Sequence, residues 1–202
     1  PGDWGCLNMI NLFCTPIDII TNTQHKLMTA LLPKYCEHLS EQIASGGKNW
    51  VAQNLKNSFN TYNIYKDKNF EKINNFITSA VYNYIRQIGH KQLDLKKTQA
   101  WYNIYNKQSF QEWHNHNFAL ASCIYYLKSD ENSSKTLFKN PLPDNPNQPD
   151  LDLNNMYTWE HYKVNPQEGD LVIFPSSLDH CVEMHMSDTT RISLAYNFYT
   201  CN

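Results

Sequence analysis

The sequence predicts an α+β protein in which an N-terminal helical half supports a C-terminal β domain. Two observations carry this. Apolar residues recur at steps of three and four as far as about residue 88, the spacing of one helix face. Beyond Lys97 the chain breaks into short β-branched and aromatic runs, the composition that suits pleated, half-buried strands. At 202 residues the chain is long enough to bury a core without cross-links. One domain over residues 9–202 is expected, with helical support over 20–96 and a β core over 97–200.

The first element is a helix over residues 25–43, where Leu27, Leu31, Leu32, Tyr35, Leu39 and Ile43 keep rough helical spacing and Pro33 marks a kink or a start. The clearest helix covers 69–88. Phe70, Ile73, Phe76, Ile77, Ala80, Val81, Tyr84, Ile85 and Ile88 form its stripe, and Gly89 stands where a C-terminal cap belongs. Such a stripe must cover an apolar surface, and one face of a sheet is expected. Strands follow at 99–105, 120–127, 157–164, 171–174 and 191–199. Residues 129–155 are rich in Pro, Asp and Asn, with only Thr136 to Phe138 strand-like, and a loop of that length in a compact domain is usually functional or mobile.

Seventeen basic and nineteen acidic residues spread along the chain give a net charge of −2, so no basic stripe argues for a nucleic-acid partner. The thirteen tyrosines are scattered and make no base-stacking platform. Cys6, Cys14, Cys36, Cys123, Cys181 and Cys201 include no CxxC pair, which points to reduced thiols rather than a disulfide framework or a zinc site. No apolar run reaches membrane-spanning length and no secretory signal opens the chain, so a soluble, cytoplasmic protein is expected. The first methionine, Met9, is the expected native start, with residues 1–8 a remnant of cloning. Asn occurs 25 times, Lys 15 times and Arg only twice. An arginine kept under such a bias invites a reason.

The chemistry concentrates in three short segments. Trp113-His114-Asn115-His116 precedes an apolar strand, and in extended backbone its two imidazoles point the same way. An HxH pair by itself is also what two ordinary polar histidines give. The run EGDLVIFPSSLDH, residues 168–180, feeds a strand from a Gly-Asp turn and delivers His180 beyond Pro175. Arg191 and Ser193 then share one face of the last strand, opposite Ile192, Leu194, Tyr196 and Phe198. A guanidinium forks two parallel hydrogen bonds onto a carboxylate, which a lysine cannot do.

HxH, then Tyr-Tyr-Leu, then GDLVIFP, then His, then RxS, in that order, resembles the 2-oxoglutarate- and iron(II)-dependent oxygenase superfamily. The likeness is to a phage and marine-bacterial branch, distantly similar to prolyl 4-hydroxylases, and it covers about residues 97–199. It implies a double-stranded β-helix, or jelly roll, flanked by the helices. It implies Fe(II) as metal, 2-oxoglutarate as cosubstrate and O₂ as oxidant, for hydroxylation of a prolyl or other protein side chain or of a small molecule, with release of succinate and CO₂.

The first ligand of the superfamily falls on His114, the distal histidine on His180, and the cosubstrate anchor on Arg191 and Ser193. Asn103, Tyr105 and Tyr125 are further cosubstrate-binding candidates. His116 departs from the pattern, because most relatives carry Asp or Glu there. The usual two-histidine, one-carboxylate triad would become three histidines, with Glu112 and Asp179 as rival third ligands. His25, His38, His90, His161 and His185 read as structural. The alternatives are a three-histidine cupin-type dioxygenase that needs no cosubstrate, or a non-enzymatic jelly-roll binding or structural module.

Overall fold

The computed structural model describes residues 14–46, 51, 54–91, 95–142, 152, 154–165 and 167–200. The reading of residues 1–8 and the greater part of the 143–153 loop lie outside them. Strands β1 (Asp18–Thr21), β2 (Leu55–Asn57), β3 (Leu95–Tyr105), β4 (Gln111–His114), β5 (Ala121–Lys128), β6 (Thr136–Lys139), β7 (His161–Val164), β8 (Asp170–Pro175), β9 (His180–Val182) and β10 (Arg191–Thr200) form two antiparallel sheets. The larger runs β1-β8-β5-β10-β3-β2 and the smaller β4-β9-β6-β7. The fold is a jelly roll, with the cavity between the inner faces of its sheets.

Three α-helices, α1 (His25–Thr29), α2 (Leu32–Gln42) and α3 (Glu71–Gln87), accompany the sheets. The α3 stripe of Ile73, Ile77, Ala80, Val81, Tyr84 and Ile85 packs into one buried cluster with Cys123, Tyr125, Ile192, Leu194, Tyr196 and Phe198 of the large sheet. Gly89 ends this helix at φ 101°, and the Gly89 and His90 amides bond to the Arg86 and Ile85 carbonyls. That pairing satisfies carbonyls which a helix end otherwise leaves open.

Several expectations need correction. Residues 25–43 make two helices, and Pro33 opens the second, where its missing N–H costs nothing. Leu27 and Leu31 are exposed, and the buried stripe is Leu32, Cys36 and Leu39. The strand expected from Tyr157 begins only at His161, after a 3₁₀ turn over Met156–Thr158. The N-terminal half is not purely helical, because β1 and β2 form both edges of the large sheet. Strands of four and three residues are too short to show a period of two.

Candidate metal and cosubstrate site

His114 ends β4 and His180 begins β9, and the two are direct partners across the small sheet. Their ring centroids are 4.2 Å apart, and His116 stands 5.1 Å from the first and 5.2 Å from the second. One ligand atom from each of the three lies within 4.8 Å of the others. The three imidazoles could therefore hold one metal ion.

Local bonds explain how the sequence brings them together. The His116 amide donates to the Ser176 carbonyl at 2.7 Å, and Asn115 Nδ2 donates to Asp179 Oδ1 at 2.6 Å. These clamp the HxH turn onto the turn that delivers His180. His114 Nδ1 lies 2.8 Å from the Glu112 carbonyl and His180 Nδ1 lies 3.0 Å from the Leu178 carbonyl. A carbonyl only accepts, so each Nδ1 carries the proton and each Nε2 keeps its lone pair for a metal. Burial lowers the pKa of all three: His116 is brought to about 4 by desolvation and by its neighbour His114, and His114 and His180 also fall. Neutral imidazole is the form a metal needs.

The rival carboxylates stand outside the group of three imidazoles, although Glu112 Oε2 is buried without a partner. A register irregularity lies between Gln111 and His114, so Gln111 lines the cavity while Glu112 Oε1 accepts from the Val51 amide. Asp179 holds Asn115. Neither belongs to the metal-competent group. Among the histidines read as structural, His25 bonds to Tyr125, His185 bonds between Ser134 and Thr189, and His161 stacks on Trp113.

Arg191 begins β10 opposite Tyr105 and is fully buried, at 0% exposure. Its guanidinium carbon lies 4.4 Å over the Tyr105 ring and 5.1 Å over the Tyr126 ring, and Nη2 donates to Thr136 Oγ1 at 3.3 Å. No described carboxylate pairs with it, and its Nε and Nη1 are buried without a partner. An unpaired buried guanidinium is expensive, and a bidentate acid would complete it. Ser193 and Asn103 line the same cavity and pair across β10 and β3, and Asn103 Oδ1 is likewise buried without a partner. The donor set thus fits a divalent metal at one end and a dicarboxylate at the other.

Tyr105 lies in the cavity, where its hydroxyl donates to Gln111 and burial pushes its pKa up to about 12. Tyr125 does not. Its hydroxyl meets His25 at 2.7 Å and Asn22 at 3.0 Å on the helix-covered face. Side chains alternate along a strand, so it is the next residue, Tyr126, that reaches Arg191. Tyr126, Thr136, Gln111 and Trp101 are site residues that sequence reasoning missed. The Tyr-Tyr pair signalled one inward aromatic, and only the register of β5 says which.

Residues 99–197 match the family model described as "Putative 2OG-Fe(II) oxygenase". A search of curated proteins finds no match. Among solved structures the chain is similar to a Pseudomonas putida prolyl-4-hydroxylase, at 13% identity over 93% of this chain and 94% of that one, with a TM-score of 0.62. It is also similar to a Trichoplax adhaerens prolyl hydroxylase in complex with a hypoxia inducible factor peptide fragment, at 14% identity over 91% and 83% of the chains, with a TM-score of 0.61. HygX from Streptomyces hygroscopicus, with nickel and 2-oxoglutarate bound, matches at 11% identity over 92% and 83%, with a TM-score of 0.61. At these identities the three show the shared fold. The family match over residues 99–197, the jelly-roll part of the chain, and the shared fold together make the chain similar to the 2-oxoglutarate- and iron(II)-dependent oxygenases.

Proposed function

We propose that this chain is a 2-oxoglutarate- and Fe(II)-dependent hydroxylase in which His114, His116 and His180 hold the metal and Arg191 anchors the cosubstrate. The observation that carries the reading is the buried guanidinium of Arg191, with two unpartnered N–H groups, in the cavity that the three imidazoles line. A cosubstrate-free dioxygenase would have no use for that cation.

Each side chain has a task. The Nδ1 bonds to the Glu112 and Leu178 carbonyls fix the rings of His114 and His180 before metal arrives, which lowers the entropic cost of binding. The Tyr105 and Tyr126 rings pack against the guanidinium and help to fix its orientation, leaving Nε and Nη1 to donate to a carboxylate. Ser193 adds a hydroxyl from the same strand face, and Asn103 an amide opposite it. Phe138 and Phe174, whose rings lie 6.0 and 4.8 Å from that of His180, shield the metal end from water. Iron, when bound, supplies the O₂ activation and C–H oxidation, coupled to decarboxylation of 2-oxoglutarate, that no amino-acid side chain can provide.

The substrate is proposed at the level of class: a prolyl or other protein side chain, or a small molecule. Two of the similar structures are prolyl hydroxylases, one with a peptide bound, and this supports the first option. Placement in the phage and marine-bacterial branch rests on the HxH and FPSxLxH motifs. Residues 9–202 are proposed to act as one domain. A reducing, intracellular setting is supported by the unpaired Cys14, Cys36, Cys123 and Cys181, and no helix among the described residues is long and apolar enough to cross a membrane.

Anaerobic titration with Fe(II) and 2-oxoglutarate tests the metal and the cosubstrate together. A visible metal-to-ligand charge-transfer band that needs both is the expected result, and its absence at saturating concentrations would overturn the reading.

A further inference from the structure

Among the described residues, the lining of the cavity that holds the three imidazoles and Arg191 contains no acid. Among the described residues its polar lining is made of amides, hydroxyls, imidazoles and one guanidinium, including Asn103, Gln111, Ser193 and Asn197. The nearest acids in sequence stand outside that lining: Glu112 Oε1 accepts from the Val51 amide while its Oε2 is buried without a partner, and Asp179 holds Asn115. The three imidazoles that could hold a metal bring no negative charge of their own. A divalent ion placed among them would keep its whole charge and share a water-poor space with a fully buried cation. Three positive charges would share a lining with no carboxylate among its described residues, with Glu112 and Asp179 acting on His114 only from outside it, and buried charges are tolerated only when paired.

We infer that this chain takes up its metal and 2-oxoglutarate as one coupled unit, with the dianion acting as the counter-charge that a protein carboxylate would otherwise supply. The inference rests on the function proposed above and adds a property of this donor set. The dianion reduces the net charge of the cavity from three to one by closing on both positive centres at once. Metal alone would bind weakly, and so would 2-oxoglutarate alone, which sees only Arg191. Such coupling is reciprocal by thermodynamic necessity, each partner raising the affinity of the other by one common factor. His116 is the residue that sets it, since a carboxylate at that position would provide one negative charge permanently.

The test is anaerobic isothermal titration of the protein with Mn(II), with and without saturating 2-oxoglutarate, and the reverse titration of 2-oxoglutarate with and without Mn(II). Affinity should rise by about tenfold or more in each direction and by the same factor, toward the upper part of the roughly 5- to 150-fold range of such couplings. His116→Asp should tighten Mn(II) binding in the absence of 2-oxoglutarate and reduce the factor. Arg191→Gln should also tighten Mn(II) binding without 2-oxoglutarate, because it removes the cationic neighbour; this variant and the wild type decide the matter if His116→Asp does not fold. Mn(II) affinity that is the same with and without 2-oxoglutarate overturns the inference while leaving the proposed function standing. An undiminished factor in a folded His116→Asp, or unchanged metal affinity in Arg191→Gln, overturns its electrostatic origin. If neither Mn(II) nor 2-oxoglutarate binds, the proposed function falls and takes the inference with it.

Discussion

The two faces of the large sheet are built from the same strands and do opposite work. Along β10, Ile192, Leu194, Tyr196 and Phe198 sit in the apolar cluster under α3, while Arg191, Ser193 and Asn197 between them line the cavity. Along β5, Tyr125 meets His25, Asn22 and the Phe76 ring, and its neighbour Tyr126 meets Arg191. Chemistry and stability are thus one residue apart in sequence and a sheet's thickness apart in space. The outer face is fixed by burial of apolar surface, which is tolerant of detail. The inner face buries polar groups that must find partners in each other or in bound ligands. Substitutions should therefore sort by strand parity, into those that lower stability and those that lower binding.

The largest effect is expected where an inward and an outward histidine are compared. His116→Ala removes one of three candidate ligands and should weaken Fe(II) binding by at least about 100-fold, since loss of an outer partner alone costs 10–100-fold. His161→Ala removes a ring stacked 5.1 Å from Trp113 and should leave Fe(II) affinity unchanged. Equal affinity in the two variants, measured by anaerobic titration, would break the division.

Ile77→Ala tests the other face. Ile77 is fully buried under the sheet, so its truncation should cost roughly 2–5 kcal/mol in urea unfolding. Metal and 2-oxoglutarate affinities of the folded variant should stay within about twofold, the scatter expected for a site with no shared contacts. Loss of activity without loss of stability would show that α3 takes part in the chemistry.

The inner face also makes a prediction about pH. Free imidazole titrates near 6.5, and in the folded, metal-free protein His116 titrates near 4, with His114 and His180 also lowered by burial. Between those values the unfolded chain binds more protons than the folded one. Stability is therefore full above about pH 6.5 and is lost as pH falls toward 4, by up to about 3 kcal/mol from His116 alone. Zn(II) or Mn(II), by binding the neutral rings, should move this loss to lower pH, and thermal unfolding across pH 4–7 with and without metal checks it.

Parity also explains what could be read from the sequence. The α3 stripe and its Gly89 stop were legible because seventeen residues give several turns of period to read. The inward set Arg191 and Ser193 was legible because a ten-residue strand shows its alternation. Tyr125 was mistaken for Tyr126 because β5 is buried along nearly its whole length, so nothing in its composition says which face is inside. Glu112 was grouped with His114 because the register irregularity between Gln111 and His114 leaves no mark in a four-residue strand. Thr136 could not be linked to Arg191 at all, since their separation of 55 positions is closed only by the fold.

Arg191→Lys keeps the charge of the inner face and removes its planar fork. The apparent KM for 2-oxoglutarate should rise roughly tenfold or more, with a smaller change in Fe(II) affinity measured without 2-oxoglutarate. Because the guanidinium also packs against the Tyr105 and Tyr126 rings, an ammonium there loses planar contact as well as its hydrogen-bonding geometry. An unchanged dependence on 2-oxoglutarate would remove Arg191 as the anchor.

The smallest and sharpest comparison uses adjacent tyrosines. Tyr126→Phe removes a hydroxyl that donates to Thr136 Oγ1 at 2.9 Å, the atom that also accepts from Arg191 Nη2. Tyr125→Phe removes a hydroxyl held by Asn22 and His25. Each change deletes one buried phenolic O–H and leaves the ring in place, so each should cost about 0.5–1.5 kcal/mol of stability. Their effects on binding should diverge. Without the Tyr126 hydroxyl, Thr136 is free to turn and the guanidinium loses its one described hydrogen-bonded restraint, so the KM for 2-oxoglutarate should rise a few-fold, the worth of about one such bond. Tyr125→Phe should leave that KM unchanged, because its partners lie behind the sheet. Matched stability losses with a KM change in only one variant would confirm that the sheet divides the two roles, and equal KM changes in both would show that packing behind the sheet is felt in the site.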